Sequence, residues 1–154
     1  MIRTTQAVLP IMRKQKSGIV VNISSGAGRF GFPEGLLMLA QNLHELEPFG
    51  IKVVIVEPRV IRTNFGNGLV IAKKSQDPNS PYSYMMQKMA SGFEKLMKNS
   101  SSADVVAKVV LDAVRDENPN LRYLAGKNVE QWLGSKRNMS DEEFYKIMKQ
   151  NLMM

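Results

Sequence analysis

The sequence predicts an α/β protein built on a short parallel sheet of about three strands, with helices following it. Three observations predict this. Two near-continuous β-branched runs, Gly18–Ser24 and Ile51–Val56, read as strands buried on both faces. Between them, Leu36–Glu47 places Leu36, Leu39, Ala40, Leu43 and Leu46 at helical spacing. Strand, helix and strand in that order make a right-handed βαβ unit, which requires a parallel sheet.

The remaining elements follow from periodicity and punctuation. Thr5–Gln15 carries Ala7, Val8, Ile11 and Met12 on one face and reads as the end of an amphipathic helix, with Pro10 inside it as a kink or a loosened turn. The first strand runs into a glycine-rich turn, Ser25–Pro33, and Pro48 and Gly50 stop the helix before the second strand. After Pro58 the character changes. Asn64–Pro81 is polar, with Asp77-Pro78 and Ser80-Pro81 as turn signals, and is expected to be a loop. Tyr82–Lys98 is a helix rich in methionine. Ser101 or Ser102 is expected to cap a further helix, Ala103–Arg115, whose Val105, Val106, Val109, Val110 and Val114 face one way. Leu121–Leu124 is a short strand, and Ser140-Asp141-Glu142-Glu143 is a capping box opening a last helix, Phe144–Leu152.

Composition bounds the function classes. With 154 residues the chain has room for one domain, and 44% hydrophobic with 23% charged residues is the balance of a folded protein. No uncharged apolar run approaches the ~20 residues of a membrane span. The opening Met1-Ile2-Arg3-Thr4-Thr5-Gln6 turns polar at once, unlike a secretory leader, so a cytoplasmic location and no membrane partner are expected. There is no cysteine, which removes disulfides, thiolate metal sites and cysteine nucleophiles together. With His44 the one histidine, no metal site is expected. The net charge of +7 raises nucleic acid as a partner. The basic residues, however, are spread from Arg3 to Lys149, and the densest knots, Arg13-Lys14-Gln15-Lys16 and Lys73-Lys74, are not interleaved with aromatics. A solvated basic surface is the better reading.

One motif is a decoy. Gly26-Ala27-Gly28-Arg29-Phe30-Gly31 follows a strand and matches G-x-G-x-x-G, with Glu57 closing the next strand as the ribose-binding acid would. In a pyrophosphate loop the helix begins within the glycines, so that its first amides meet phosphate. Pro33 pushes the residue before it out of the helical region, so the helix is expected to start after Pro33. The glycines then serve backbone geometry.

A different pattern fits the same residues. Gly18-Ile-Val-Val-Asn22-Ile-Ser24-Ser25-Gly26-Ala27-Gly28, then Pro33, then Gly50-Ile-Lys-Val-Val-Ile-Val-Glu57-Pro58, then Thr63, resembles the short-chain dehydrogenase/reductase family. Thr4–Met12 and Glu45–Gly50 carry the same resemblance, which is strong over residues 1–66 and looser beyond. It implies a partial Rossmann-like, doubly wound sheet, with 1–66 as the strand-helix-strand core and 67–154 as the substrate-side segment and C-terminal helices of one domain. It implies NAD or NADP as cofactor, a small-molecule substrate, and hydride transfer at a carbonyl or alcohol. Ser25 would match the catalytic serine, and Pro58 and Thr63 would match positions that hold the nicotinamide end of the cofactor.

The departures matter as much. The tyrosine that handles the proton is expected near position 38, where Met38 stands, and its lysine partner near Asn42. The glycine after Pro58 is here Arg59. The resemblance places the chain as the C-terminal part of a domain of about 250 residues, without the glycine-rich phosphate turn. Ser25, Pro58 and Thr63 are therefore expected as remnants of a site that is inactive alone. Tyr84 and Lys88 could share a helix face as a substitute pair, but an exposed edge is the plainer reading. His44, on a polar face beside Glu45 and Glu47, is not taken as a base. The alternative to an oxidoreductase is a non-catalytic interaction module. Because Gly18–Ser24 would be an edge strand, self-association or a partner chain at that edge is expected.

Overall fold

The computed structural model describes residues 2–29, 44–68, 70, 72–127, 134 and 138–153. In chain order the described elements are α1 (Ile2–Gln15), β1 (Gly18–Ile23), β2 (Ile51–Pro58), β3 (Ile61–Arg62), α2 (Ser83–Lys98), β4 (Ser101–Ser102), α3 (Ala103–Arg115), β5 (Arg122–Ala125) and α4 (Asp141–Met153). They fall into two compact units. The first comprises Met1–Arg59 with Asp104–Gly126, the second Val60–Ala103 with Lys127–Met154.

The first unit holds the three-stranded sheet, ordered β1–β2–β5 and parallel throughout. Gly18 pairs with Ile51 and Ile23 with Val56, so the two β-branched runs lie in register along their whole length. On one face Val54 and Val56 pack with Ala113 and Ala125, and Ile19, Val21, Val106, Val109, Val110 and Tyr123 close around them. Val106, Val109 and Val110 of the expected α3 stripe lie on the sheet, whereas Val105 and Val114, expected to face the same way, are exposed. On the other face α1 approaches Gly18 so closely that a Cβ there would meet the Met12 side chain. Arg13, in the last turn of α1, stacks its guanidinium 5.1 Å from the centre of the Phe49 ring. Lys52 donates to the carbonyls of Asp116 and Glu117, tying β2 to the chain that leaves α3.

Several expectations are corrected here. β1 has the composition of a strand covered on both faces, yet of its six residues Asn22 alone is buried. The reason is its place: β2 lies between two strands and is almost wholly buried, whereas β1 has a neighbouring strand on one side alone among the described residues. α1 begins three residues earlier than the periodicity indicates and continues through Pro10. The expected helix Leu36–Glu47 lies outside the described residues up to position 43. From His44 to Phe49 the chain forms a 3-10 turn that includes Pro48. Gly50 then reverses direction with φ +66°, a left-handed conformation that glycine adopts without strain.

The second unit contains α2, α4 and the small parallel pair β3–β4, and α2 packs against α4. The capping box at α4 forms as expected. Ser140 Oγ accepts the Glu143 N–H at 3.2 Å, and Glu143 Oε2 accepts the Ser140 N–H at 2.9 Å. Ser101 and Ser102 are not helix caps but strand residues. The Ser101 N–H bonds to the Val60 carbonyl, and its buried hydroxyl accepts the Lys127 N–H. The stretch 64–81, expected to be a plain loop, contains 3-10 turns at Asn64–Gly68 and Lys73–Gln76. No helix among the described residues is long and apolar enough to cross a membrane.

Candidate active site

Parallel strands end together, and the carboxyl ends of β1 and β2 carry two of the three residues singled out by sequence. The ladder runs one residue past β1, where Ser24 donates its N–H to the Val56 carbonyl at 2.8 Å. Ser25 comes next, half-buried, at the point where the strand gives way to a turn. Its Oγ accepts the Ala27 N–H at 3.1 Å, which fixes the side chain and leaves its own hydrogen to donate. Pro58 closes β2, buried, opposite Ala125 of β5. As a proline it has no N–H to leave unpaired there. Ser25 and Pro58 thus stand at the same end of neighbouring strands, where open α/β sheets place their ligand crevice.

Thr63 belongs to the second unit. It is exposed, and its Oγ1 accepts the Phe65 N–H at 3.2 Å, opening the 3-10 turn Asn64–Gly68. Met38 and Asn42 lie outside the described residues, as does Pro33. Tyr84 and Lys88 do share one face of α2, with the Lys88 ammonium 5.4 Å from the Tyr84 ring centre. Tyr84 is 68% exposed, so the pair is a surface contact.

The glycine turn is settled by what surrounds it. Residues Gly26–Arg29 wind into a single 3-10 turn, and the start of the helix expected after Pro33 lies outside the described residues. Glu57, which the decoy motif would give to a ribose, is 2% exposed and bonded to Arg122, Oε1 to Nη1 at 2.7 Å. Sequence reasoning missed that pair. Its signal was present, since Arg122 is a charged residue inside a predicted strand and needs a partner there.

Arg59, which stands where the resemblance would put glycine, is neither fully exposed nor fully buried. It is half-buried directly after β2, its N–H bonded to the Ala125 carbonyl at 3.0 Å. Desolvation holds its guanidinium pKa below the ordinary arginine value.

Comparison with known proteins bears on this arrangement. The short chain dehydrogenase family model matches residues 1–74. A short-chain dehydrogenase from Streptomyces avermitilis, solved by crystallography, superposes with a TM-score of 0.67 at 30% identity, over 96% of this chain and 56% of that one. This chain belongs to the short-chain dehydrogenase/reductase family. It is similar to an uncharacterized oxidoreductase of Schizosaccharomyces pombe, 27% identical over 93% of this chain and 63% of the relative. It is also similar to an oxidoreductase of Botryotinia fuckeliana, 31% identical over 95% of this chain and 57% of the relative. The chain therefore spans less than two-thirds of the length of these relatives.

Short-chain dehydrogenases use NAD(P), and the residues present can be tested against that cofactor. They do not fit it. Close approach of a nicotinamide after Pro58 requires glycine, and Arg59 places a desolvated side chain there. The Glu57 carboxylate is already engaged by Arg122.

Proposed function

We propose that these 154 residues carry the substrate-oxygen end of an NAD(P)-dependent short-chain oxidoreductase site and do not by themselves transfer hydride. The observation that carries this reading is Ser25: a fixed hydroxyl with a free hydrogen, at the carboxyl end of the sheet. A carbonyl or alcohol oxygen placed there would receive that hydrogen bond. Pro58, on the neighbouring strand, and Thr63 are the remnants proposed for the cofactor's nicotinamide end. What the chain lacks is a proton donor. Met38 and Asn42 stand where the family resemblance puts the tyrosine and its lysine, and positioned proton transfer is worth ~10²–10⁴ in rate. Arg59 adds a steric and electrostatic obstacle on the cofactor side.

The test is an assay of the 154-residue chain on small alcohols and ketones with NAD(H) and NADP(H), with Ser25→Ala in parallel. No cofactor-dependent turnover is expected from either protein. Turnover that disappears in Ser25→Ala would show that the site is complete and the proposal wrong. The alternative reading, a non-catalytic interaction module derived from this family, is favoured by the same Arg59 and Met38. Calorimetry with NAD(P) separates the two, since residual cofactor binding belongs to the oxidoreductase and its absence to the module.

A further inference from the structure

The 3-10 turn Asn64–Gly68 ends on an asparagine followed by glycine, and Asn67 is the one asparagine of the chain with that neighbour. Both residues are exposed. The Asn67 carboxamide has no hydrogen-bond partner among the described residues, so nothing there holds it away from the backbone. A side chain on the following residue ordinarily crowds the approach of a carboxamide to the next backbone nitrogen, and Gly68 has none. Its surroundings do not take the place of one: a Cβ built on Gly68 would meet nothing within 4 Å. Little holds the turn closed. Short 3-10 turns have poor hydrogen-bond geometry, and Phe65, the one large apolar side chain of this turn, is 83% exposed. Segments with few buried apolar contacts open locally at small free-energy cost.

We propose that Asn67–Gly68 is a site of spontaneous covalent modification, at which the chain converts an amide to a carboxylate with water as the co-reactant. The Gly68 nitrogen, once it loses its proton, bonds to Asn67 Cγ. The Cγ–Nδ2 bond breaks, Nδ2 leaves as ammonia, and a cyclic imide closes. Water then opens the ring. Attack at Cγ gives aspartate. Attack at the Asn67 main-chain carbonyl carbon gives isoaspartate, whose backbone runs through the side chain. Nothing is oxidised or reduced. The modified turn carries one more negative charge and, in isoaspartate, one more backbone bond. Thr63 opens the same turn by accepting the Phe65 N–H. The segment that carries Thr63 therefore changes its charge as the protein ages. Nothing in this depends on the oxidoreductase reading.

The experiment is timed incubation of the folded 154-residue chain in neutral and in mildly alkaline buffer. Peptide mass analysis then reads amide loss at each asparagine, and an isoaspartyl methyltransferase reports isoaspartate. The modified fraction at Asn67 is expected to grow faster than at Asn79 and Asn99, which are exposed and followed by serine. It should grow faster in alkali, because the attacking species is the deprotonated Gly68 amide, and isoaspartate should be among the products. Gly68→Ala is the decisive variant, since the space around position 68 admits a Cβ without contact. It should slow the reaction at Asn67 at least about tenfold, ~1.4 kcal/mol in the barrier, and leave Asn79 and Asn99 unchanged. Circular dichroism verifies that the variant folds, and if it does not, the comparison of the three asparagines in the parent decides alone. Loss at Asn67 no faster than at Asn79 and Asn99, or a rate indifferent to Gly68→Ala, would overturn the proposal. Aspartate without isoaspartate would mean direct hydrolysis of the amide and would overturn it equally.

Discussion

Arg122, a charged residue in a strand, calls for a partner, and only the β2–β5 register shows that the partner is Glu57. Ile55 lies opposite Arg122 and Glu57 opposite Leu124, so the two side chains meet diagonally on one face. Removing one partner of a buried pair leaves an uncompensated charge, at a cost of ~3–5 kcal/mol when both are dry. Here the arginine side chain is about one-third exposed, so Arg122→Met is expected to cost less, about 2–3 kcal/mol in urea unfolding. The double variant with Glu57→Gln should recover much of that loss. An Arg122→Met protein as stable as the parent would show the carboxylate to be solvated by other means. The left-handed residues give a second prediction. Lys16 has φ +52° and Gly50 has φ +66°, and a Cβ on Gly50 would collide with the Lys16 carbonyl oxygen. Gly50→Ala should therefore cost more than the ~1–2 kcal/mol of left-handed strain alone. Lys16→Gly removes such strain and should raise stability by up to ~1 kcal/mol. The opposite signs, read in thermal unfolding, are the check.

Elements with a period were legible, and elements without one were not. α2 and α3 lie within a residue of where the apolar spacing puts them, because a helix of several turns repeats its signal. β3 and β4 have two residues each, too few to show alternation, so Ser101 looked like a cap when it is a strand residue holding Lys127. The opposite holds at α4, where Ser140 and Glu143 sit three apart and reciprocate as the motif requires. There the pH dependence has a definite sign. The backbone N–H of Ser140, and then its hydroxyl, donate to the Glu143 carboxylate and hold its pKa below the ordinary value. The folded state thus favours the charged form. The contribution is present in full above the ordinary glutamate range near ~4.3 and fades as the pH falls through the lowered folded value. Amide shifts of Ser140 and Glu143 in an acid titration should move with the first turn of α4. Glu143→Gln, which keeps the cap geometry without the charge, should abolish that dependence. An acid transition unchanged in Glu143→Gln would assign it to another group.

At the scale of the whole molecule, the fold class was legible because parallel strands advertise themselves. Continuous β-branched runs separated by helical spacing have few other solutions. Burial was less legible, because it depends on neighbours that a local pattern does not name. Leu46, Ile51, Val54, Ile55, Val56, Ala113 and Ala125, the buried hydrophobic residues among those described, all belong to the first unit. The second unit instead carries exposed apolar side chains such as Phe65 and Val70, 83% and 94% accessible, with Tyr82, Tyr84 and Phe93 beside them in sequence. Local opening is easiest where few apolar side chains are buried, so protection against amide exchange should divide along the same line. The amides of Val54, Ile55 and Val56, in the strand bonded on both sides, are expected to be the slowest in the chain. The helical amides of α2 and α4 should exchange at least an order of magnitude faster, ~10-fold corresponding to ~1.4 kcal/mol of opening free energy. Residue-resolved exchange of the folded chain makes the comparison. Equal protection in α2 and β2 would mean that the two units open as one cooperative block, and that burial in the first unit is not what sets local stability.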